Sequence, residues 1–230
     1  GGSYHSIYDS YEHYTRFSDG DFVYGVTLAK VNSRLVLRLS ESEILPFRFT
    51  NMSDNIQTFI ESNKKLAKQT KEDTEIRNRL LDQNSYTIAS NPKIAYDAPE
   101  RLSTVPDFNF SALESAYKKL LSSAWKYEKS IKSNRVGSLS QKDKVLINKL
   151  LRDVEKSMTL DKGLPRRPWF KNMIYAPGFY TGYGVKTLPG IREGLEERNW
   201  DEVSDYISEV SNALTRASVK IERATDIINK

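Results

Sequence analysis

The chain has 230 residues, 38% of them hydrophobic and 28% charged, a composition that describes a soluble, fairly polar globular protein with room for one large domain or a domain plus a fragment. No apolar run approaches bilayer-spanning length and no signal peptide is present, so any membrane anchor is expected outside this segment. The net charge of +5 comes from scattered basic residues, which offer nucleic acid no basic stripe, and the lack of cysteine excludes disulfides, thiolate metal sites and a cysteine nucleophile.

In chain order, Gly1-Gly2-Ser3 reads as a linker scar or a native glycine loop. Tyr4-His5-Ser6-Ile7-Tyr8-Asp9 then sets one of the two histidines among aromatic rings. A lone histidine is more often a hydrogen-bonded structural residue than a ligand. With Asp9 four residues on, His5 also has what a metal ligand needs, one nitrogen to coordinate and one to be oriented by an acceptor. His13 lies in a polar, helix-like run. Ser18-Asp19-Gly20-Asp21 marks a helix start, and Tyr24, Leu28, Val31, Leu35 and Leu39 recur three and four apart, the pattern of an amphipathic helix. Leu45-Pro46-Phe47 breaks it, because proline lacks a backbone donor and restricts its predecessor. The domain boundary falls here, giving segments 1–45 and 46–230.

Past the break, Ser53-Asp54 is expected to cap a helix carrying Ile56, Phe59, Ile60 and Leu66. The charged stretch from Thr70 to Arg101 reads as one short helix around Glu75 to Leu81, then a loop. Ser111-Ala-Leu-Glu114 fits a capping box opening a helix with Leu113, Ala116, Tyr117, Leu120, Leu121, Ala124, Trp125 and Ile131 on one face. Ser140-Gln-Lys-Asp143 starts another, with Leu146, Ile147, Leu150, Leu151, Val154 and Met158 inward and Gly163 as its stop.

Arg166-Arg167-Pro168-Trp169-Phe170 reads as a connector stiffened by prolines, with its aromatics packed beneath. Asn172–Tyr175 is the one strand candidate. Ala176 to Ile191 holds three closely spaced glycines before Pro189, which suit a tight turn or a pocket wall. In the last helix Trp200, Val203, Ile207, Val210, Leu214, Ala217, Ile221, Ala224 and Ile228 stay in phase throughout. That seam is the core of a bundle, and the small residues Ser211, Ala213, Ala217, Ser218 and Ala224 let a neighbouring helix approach closely. Part of this helix is also expected to meet a second subunit.

The Tyr4-His5-Ser6 segment, the Gly163-Leu-Pro-Arg-Arg-Pro-Trp-Phe run and Thr181-Gly-Tyr-Gly-Val-Lys-Thr-Leu-Pro-Gly-Ile191, in this order and separation, resemble the C-terminal part of the glutamate carboxypeptidase II and transferrin receptor family. The resemblance implies a mainly α fold, with a four-helix-bundle dimerisation domain preceded by a short remnant of an α/β zinc-peptidase domain. It implies that His5 is a zinc ligand, Tyr4 an active-site tyrosine, and Tyr183 a substrate-binding residue on a loop donated by the helical domain. Gly182 stands where the glutamate-specific members carry lysine; losing that cation removes a charge-assisted contact of about 1.5–3 kcal/mol. The other zinc ligands and the general base would come from upstream sequence, so zinc belongs to the full-length parent and no tight site is expected in this chain alone. The implied partners are a second copy of the chain and the upstream peptidase domain, with no nucleic acid. The implied setting is the lumenal side of the secretory pathway, at a vacuole or cell surface, under a membrane-anchored parent. Asn51-Met-Ser53 and Asn109-Phe-Ser111 would be glycosylation acceptors there. The alternative parent is a non-catalytic receptor or sorting protein of the transferrin receptor type.

Overall fold

A computed structural model of the chain describes residues 3–230; Gly1 and Gly2, and with them most of the glycine run at the start, lie outside the described residues. The chain divides into two compact units, Gly1–Pro46 and Phe47–Lys230.

The first unit holds α1 (Tyr11–Phe17) and α2 (Val23–Ser40). Ser10 caps α1 by accepting the His13 N–H at 3.2 Å. Asp19 organises the junction: its carboxylate accepts the N–H groups of Tyr24 (3.1 Å) and Gly25 (2.8 Å) and the Tyr14 hydroxyl (3.1 Å). The residue at the cap position, Phe22, is left-handed at φ 57° and offers no side-chain oxygen, so Asp19 serves the orphan donors of the first turn from outside. Burial pushes the Asp19 carboxyl up, but its hydrogen bonds together outweigh that and hold it below the usual aspartate range. The helical period of α2 is as expected. Its burial is not: Tyr24, Leu28, Val31, Leu35 and Leu39 are all exposed.

The second unit is built on four long helices. Its first, α3 (Phe49–Asp82), runs unbroken for 34 residues, which corrects two expectations. Ser53 does not cap a helix; it sits inside α3 and donates back to the Phe49 carbonyl at 2.9 Å. The charged stretch after Thr70 continues α3 instead of forming a separate short helix. Its buried side is Phe49, Thr50, Ser53, Ile56, Ile60, Asn63, Ala67 and Thr74, a seam in helical phase with polar residues at four positions. Thr74 donates to the Thr70 carbonyl and the Asn63 amide to that of Phe59, while Asn63 Oδ1 is buried without a hydrogen-bond partner among the described residues.

A short α4 (Ser85–Ile88) and an irregular run follow. The run lies along α3 because Asn78 exchanges two hydrogen bonds with the backbone of Leu102 (2.9 and 3.1 Å) and Arg77 donates to the Glu100 carbonyl. Helix α5 (Ser111–Ile131) starts without the expected capping box. Phe110 holds the cap position, Asn109 accepts the Ser111 N–H at 2.9 Å, and Glu114 pairs with Lys64. On its buried face Tyr127 takes the place expected of Trp125, which is exposed. A 3-10 turn (Asn134–Ser138) leads to α6 (Gln141–Lys156), which Ser140 caps as predicted; Leu146 nevertheless faces out, and the helix ends at Ser157, well before Gly163.

Two three-residue strands, β1 (Tyr175–Pro177) and β2 (Val185–Thr187), pair antiparallel, with Ala176 opposite Lys186. Helix α7 (Pro189–Glu196) then leads to α8 (Trp200–Ile228), capped by Asn199. Helix α8 packs against α5, α6 and α7, and α3 closes on α5 and α7. Val203, Ile207, Val210, Leu214, Ala217, Ile221, Ala224 and Ile228 are all buried, and Trp200 lies at the edge, over Arg198 and beside Phe108. Tyr206, Ser211, Ala213, Ser218 and Thr225 are buried too, so α8 is covered on more than one side and forms the centre of the bundle.

Candidate functional site

The glycine-rich segment is the connection of the β1–β2 hairpin, and its shape follows from a few bonds. Gly178 N–H donates to the Gly184 carbonyl at 2.9 Å, closing the loop at its base. Within it, Thr181 to Gly184 form a four-residue turn: Gly184 N–H donates to the Thr181 carbonyl (3.1 Å) and the Thr181 hydroxyl to the Gly184 carbonyl (2.9 Å). Gly182, the first central residue, has φ +55°, a conformation that costs an L side chain energy and glycine little. Glycine at this position is therefore also what the turn needs. Tyr183 follows at the tip and is 97% exposed, with Tyr180 exposed beside it.

The base of the loop is anchored in the protein interior. Phe179 N–H donates to Glu193 Oε1 at 2.9 Å, and Glu193 is itself buried against Arg167. Arg167 Nη2 donates to the same oxygen at 3.0 Å. Arg167 Nη1 lies 2.8 Å from Glu193 Oε2, an ionic contact off the line of a hydrogen bond. The guanidinium groups of Arg166 and Arg167 lie 5.5 and 5.8 Å from the centre of the Phe179 ring. Arg166 extends outward to Glu197 and Glu202. The connector is thus an anchor for the loop, a role its prolines and aromatics did not suggest. Trp169, expected to pack beneath, is 70% exposed. The arginine in the connector was visible in the sequence, but its partner, a glutamate on a helix the sequence reading did not identify, could be paired with it only through the fold.

Lys186, the one cation on the hairpin itself, turns onto α7, where its ammonium meets both oxygens of Glu196 at 2.9 and 2.7 Å; Arg192 shares that carboxylate at 3.0 Å.

In the first unit, Tyr4 and His5 are exposed and stacked, with ring centres 4.0 Å apart. His5 is left-handed at φ 61°, a conformation uncommon outside glycine that histidine adopts more readily than most residues. Neither ring nitrogen has a hydrogen-bond partner among the described residues. His5 can donate one nitrogen to a zinc ion, but a hydrolytic zinc site takes three protein ligands. Among the described residues no three His, Cys, Asp or Glu side chains gather to supply the others.

The second unit is thus a helical bundle centred on one long helix and carrying an anchored hairpin with exposed tyrosines at its tip. Residues 108–222, from just before α5 to well along α8, match the family model of the transferrin receptor-like dimerisation domain. The chain belongs to this family, within the wider glutamate carboxypeptidase and transferrin receptor-like group. Over 95% of its length it is 27% identical to a protein of Arabidopsis thaliana named as a probable glutamate carboxypeptidase, and over 92% it is 28% identical to one so named from Arthroderma benhamiae. An aminopeptidase of Rattus norvegicus is 22% identical over 98% of the chain. The chain spans about a quarter of the length of these relatives, 27%, 24% and 27% respectively.

Proposed function

We propose that this chain is the self-associating part of a glutamate carboxypeptidase-like zinc exopeptidase, inactive alone, which gives the full-length enzyme one zinc ligand, His5, and one wall of its substrate pocket, the loop from Gly178 to Gly184. The observation that carries the reading is the dimerisation-family match lying over α5 to α8, the elements that also hold the loop. Tyr183 at the tip of an anchored turn supports the pocket role, since hydrogen bonds already fix the turn's backbone and less ordering remains when a ligand arrives. The stacked Tyr4–His5 pair with unengaged ring nitrogens supports the ligand role. The parent would work on the lumenal side of the secretory pathway, a setting consistent with the exposure of Asn51 and Asn109.

Light scattering of the purified chain across a dilution series tests the first part: a mass near twice 26.4 kDa is expected, and the monomer mass at every concentration would sink it. For the second part, zinc content of the full-length protein should fall in His5→Ala, and unchanged stoichiometry would remove His5 from the ligand set.

A further inference from the structure

Every basic residue between Gly163 and Glu196 is engaged by a carboxylate. These are Arg166 with Glu197 and Glu202, Arg167 with Glu193, Lys171 with Asp161, and Lys186 and Arg192 with Glu196. Five cations thus face five carboxylates, and the neighbourhood of the loop is close to neutral. The Lys186 side chain is only 18% exposed and bound to both oxygens of its partner, so it is not available to stand in for a lysine at position 182. What the loop offers outward is aromatic: Tyr180 is 78% exposed, Tyr183 97%, and Phe179 38% at their base. Gly182 between them adds no side chain, and the space around it is open.

A carboxylate arriving at such a surface would lose hydration and gain no paired cation, which is unfavourable. An apolar or aromatic side chain would cover ring surface and gain from it. We propose that this loop selects peptides whose C-terminal side chain is uncharged and apolar or aromatic, and disfavours those ending in an acidic side chain. The inference rests on the pocket-wall reading above and specifies the substrate class of that same site.

The experiment uses the full-length protein and matched N-acylated dipeptides ending in Tyr, Leu or Glu. The Tyr- and Leu-ended peptides should exceed the Glu-ended one in kcat/KM by about tenfold or more, the scale of one missing charge-assisted contact. Placing a cation at the tip should move the ratio toward the Glu-ended peptide by a similar factor. Gly182→Lys does so at a strained backbone position; Tyr180→Lys does so outside the left-handed region and covers the case in which the first variant misfolds. Tyr183→Ala should raise KM for the Tyr-ended peptide more than it lowers kcat. If the unmodified protein prefers the Glu-ended peptide while Tyr183→Ala still weakens turnover, the selectivity inference is overturned and the pocket wall stands. If Tyr183→Ala changes no peptide's kinetics, or no peptide is cleaved at all, the pocket-wall reading falls and takes the inference with it.

Discussion

Arg167 and Glu193 share a buried contact, and such a pair is costly to break from one side only. Glu193→Gln leaves a guanidinium without its counter-charge, and about 3 kcal/mol of lost stability is expected in urea unfolding. Arg167→Met combined with Glu193→Gln should cost less than the sum of the two single changes. Because Glu193 also accepts the Phe179 N–H, the single variant should speed hydrogen exchange at Phe179 as well. Two other residues link stability to pH with opposite sign. Burial pushes the Tyr206 hydroxyl up to about 12, while it donates to the Gly163 carbonyl at 2.7 Å. The folded state therefore keeps a proton that the unfolded chain releases near pH 10. The stabilisation is complete below pH 10 and is lost as pH rises from there toward 12; in Tyr206→Phe the melting temperature should fall less steeply over that window. The Asp19 carboxyl is held low, so its contribution to the turn before α2 is present above the ordinary aspartate pKa and disappears as pH falls below it. Gly182 shows how far sequence reading reaches at this scale. The resemblance alone implied that glycine replaces a lysine there, but the positive φ that favours glycine was not visible in the sequence.

Among the elements, α8 was legible because its seam is apolar at every turn, and a hydrophobic period of that length has no other stable reading. Helix α3 was not, because Ser53, Asn63 and Thr74 occupy seam positions and the residues after Thr70 are mostly charged. Counting apolar residues cuts the helix where counting buried ones does not. Of the hairpin, the strand candidate Asn172–Tyr175 meets β1 only at Tyr175 and β2 was not seen, because three-residue strands carry too few positions to show alternation. At the contact of α7 with α8, Gly190 lies against the Tyr206 ring, and a Cβ there would overlap it. Gly190→Ala should therefore destabilise the bundle by about 1–3 kcal/mol despite improving helix propensity, readable as a lower urea midpoint with unchanged slope. Ser140→Ala, which removes the cap of α6, should cost about 1 kcal/mol.

For the molecule as a whole, every buried apolar residue among those described lies at Phe49 or later. A chain beginning at Phe47 should keep the cooperative helical transition of residues 47–230, with a midpoint close to that of the full chain by circular dichroism. If the chain associates as proposed, that midpoint should also rise with protein concentration, since a partner that binds only the folded form adds to apparent stability by mass action.

Helix α2 bears on how the purified chain behaves in solution. Of its 18 residues, nine are large apolar side chains in contact with solvent, from Val23 and Tyr24 to Leu37 and Leu39. Wetted oil-like surface of this kind is penalised further by ions that are excluded from it, sulfate among them. The chain should salt out at lower ammonium sulfate than the version starting at Phe47 and brighten a hydrophobic dye more strongly. Non-specific clustering through α2 would also inflate scattered light, so the stoichiometry of the bundle is best weighed on the shortened form.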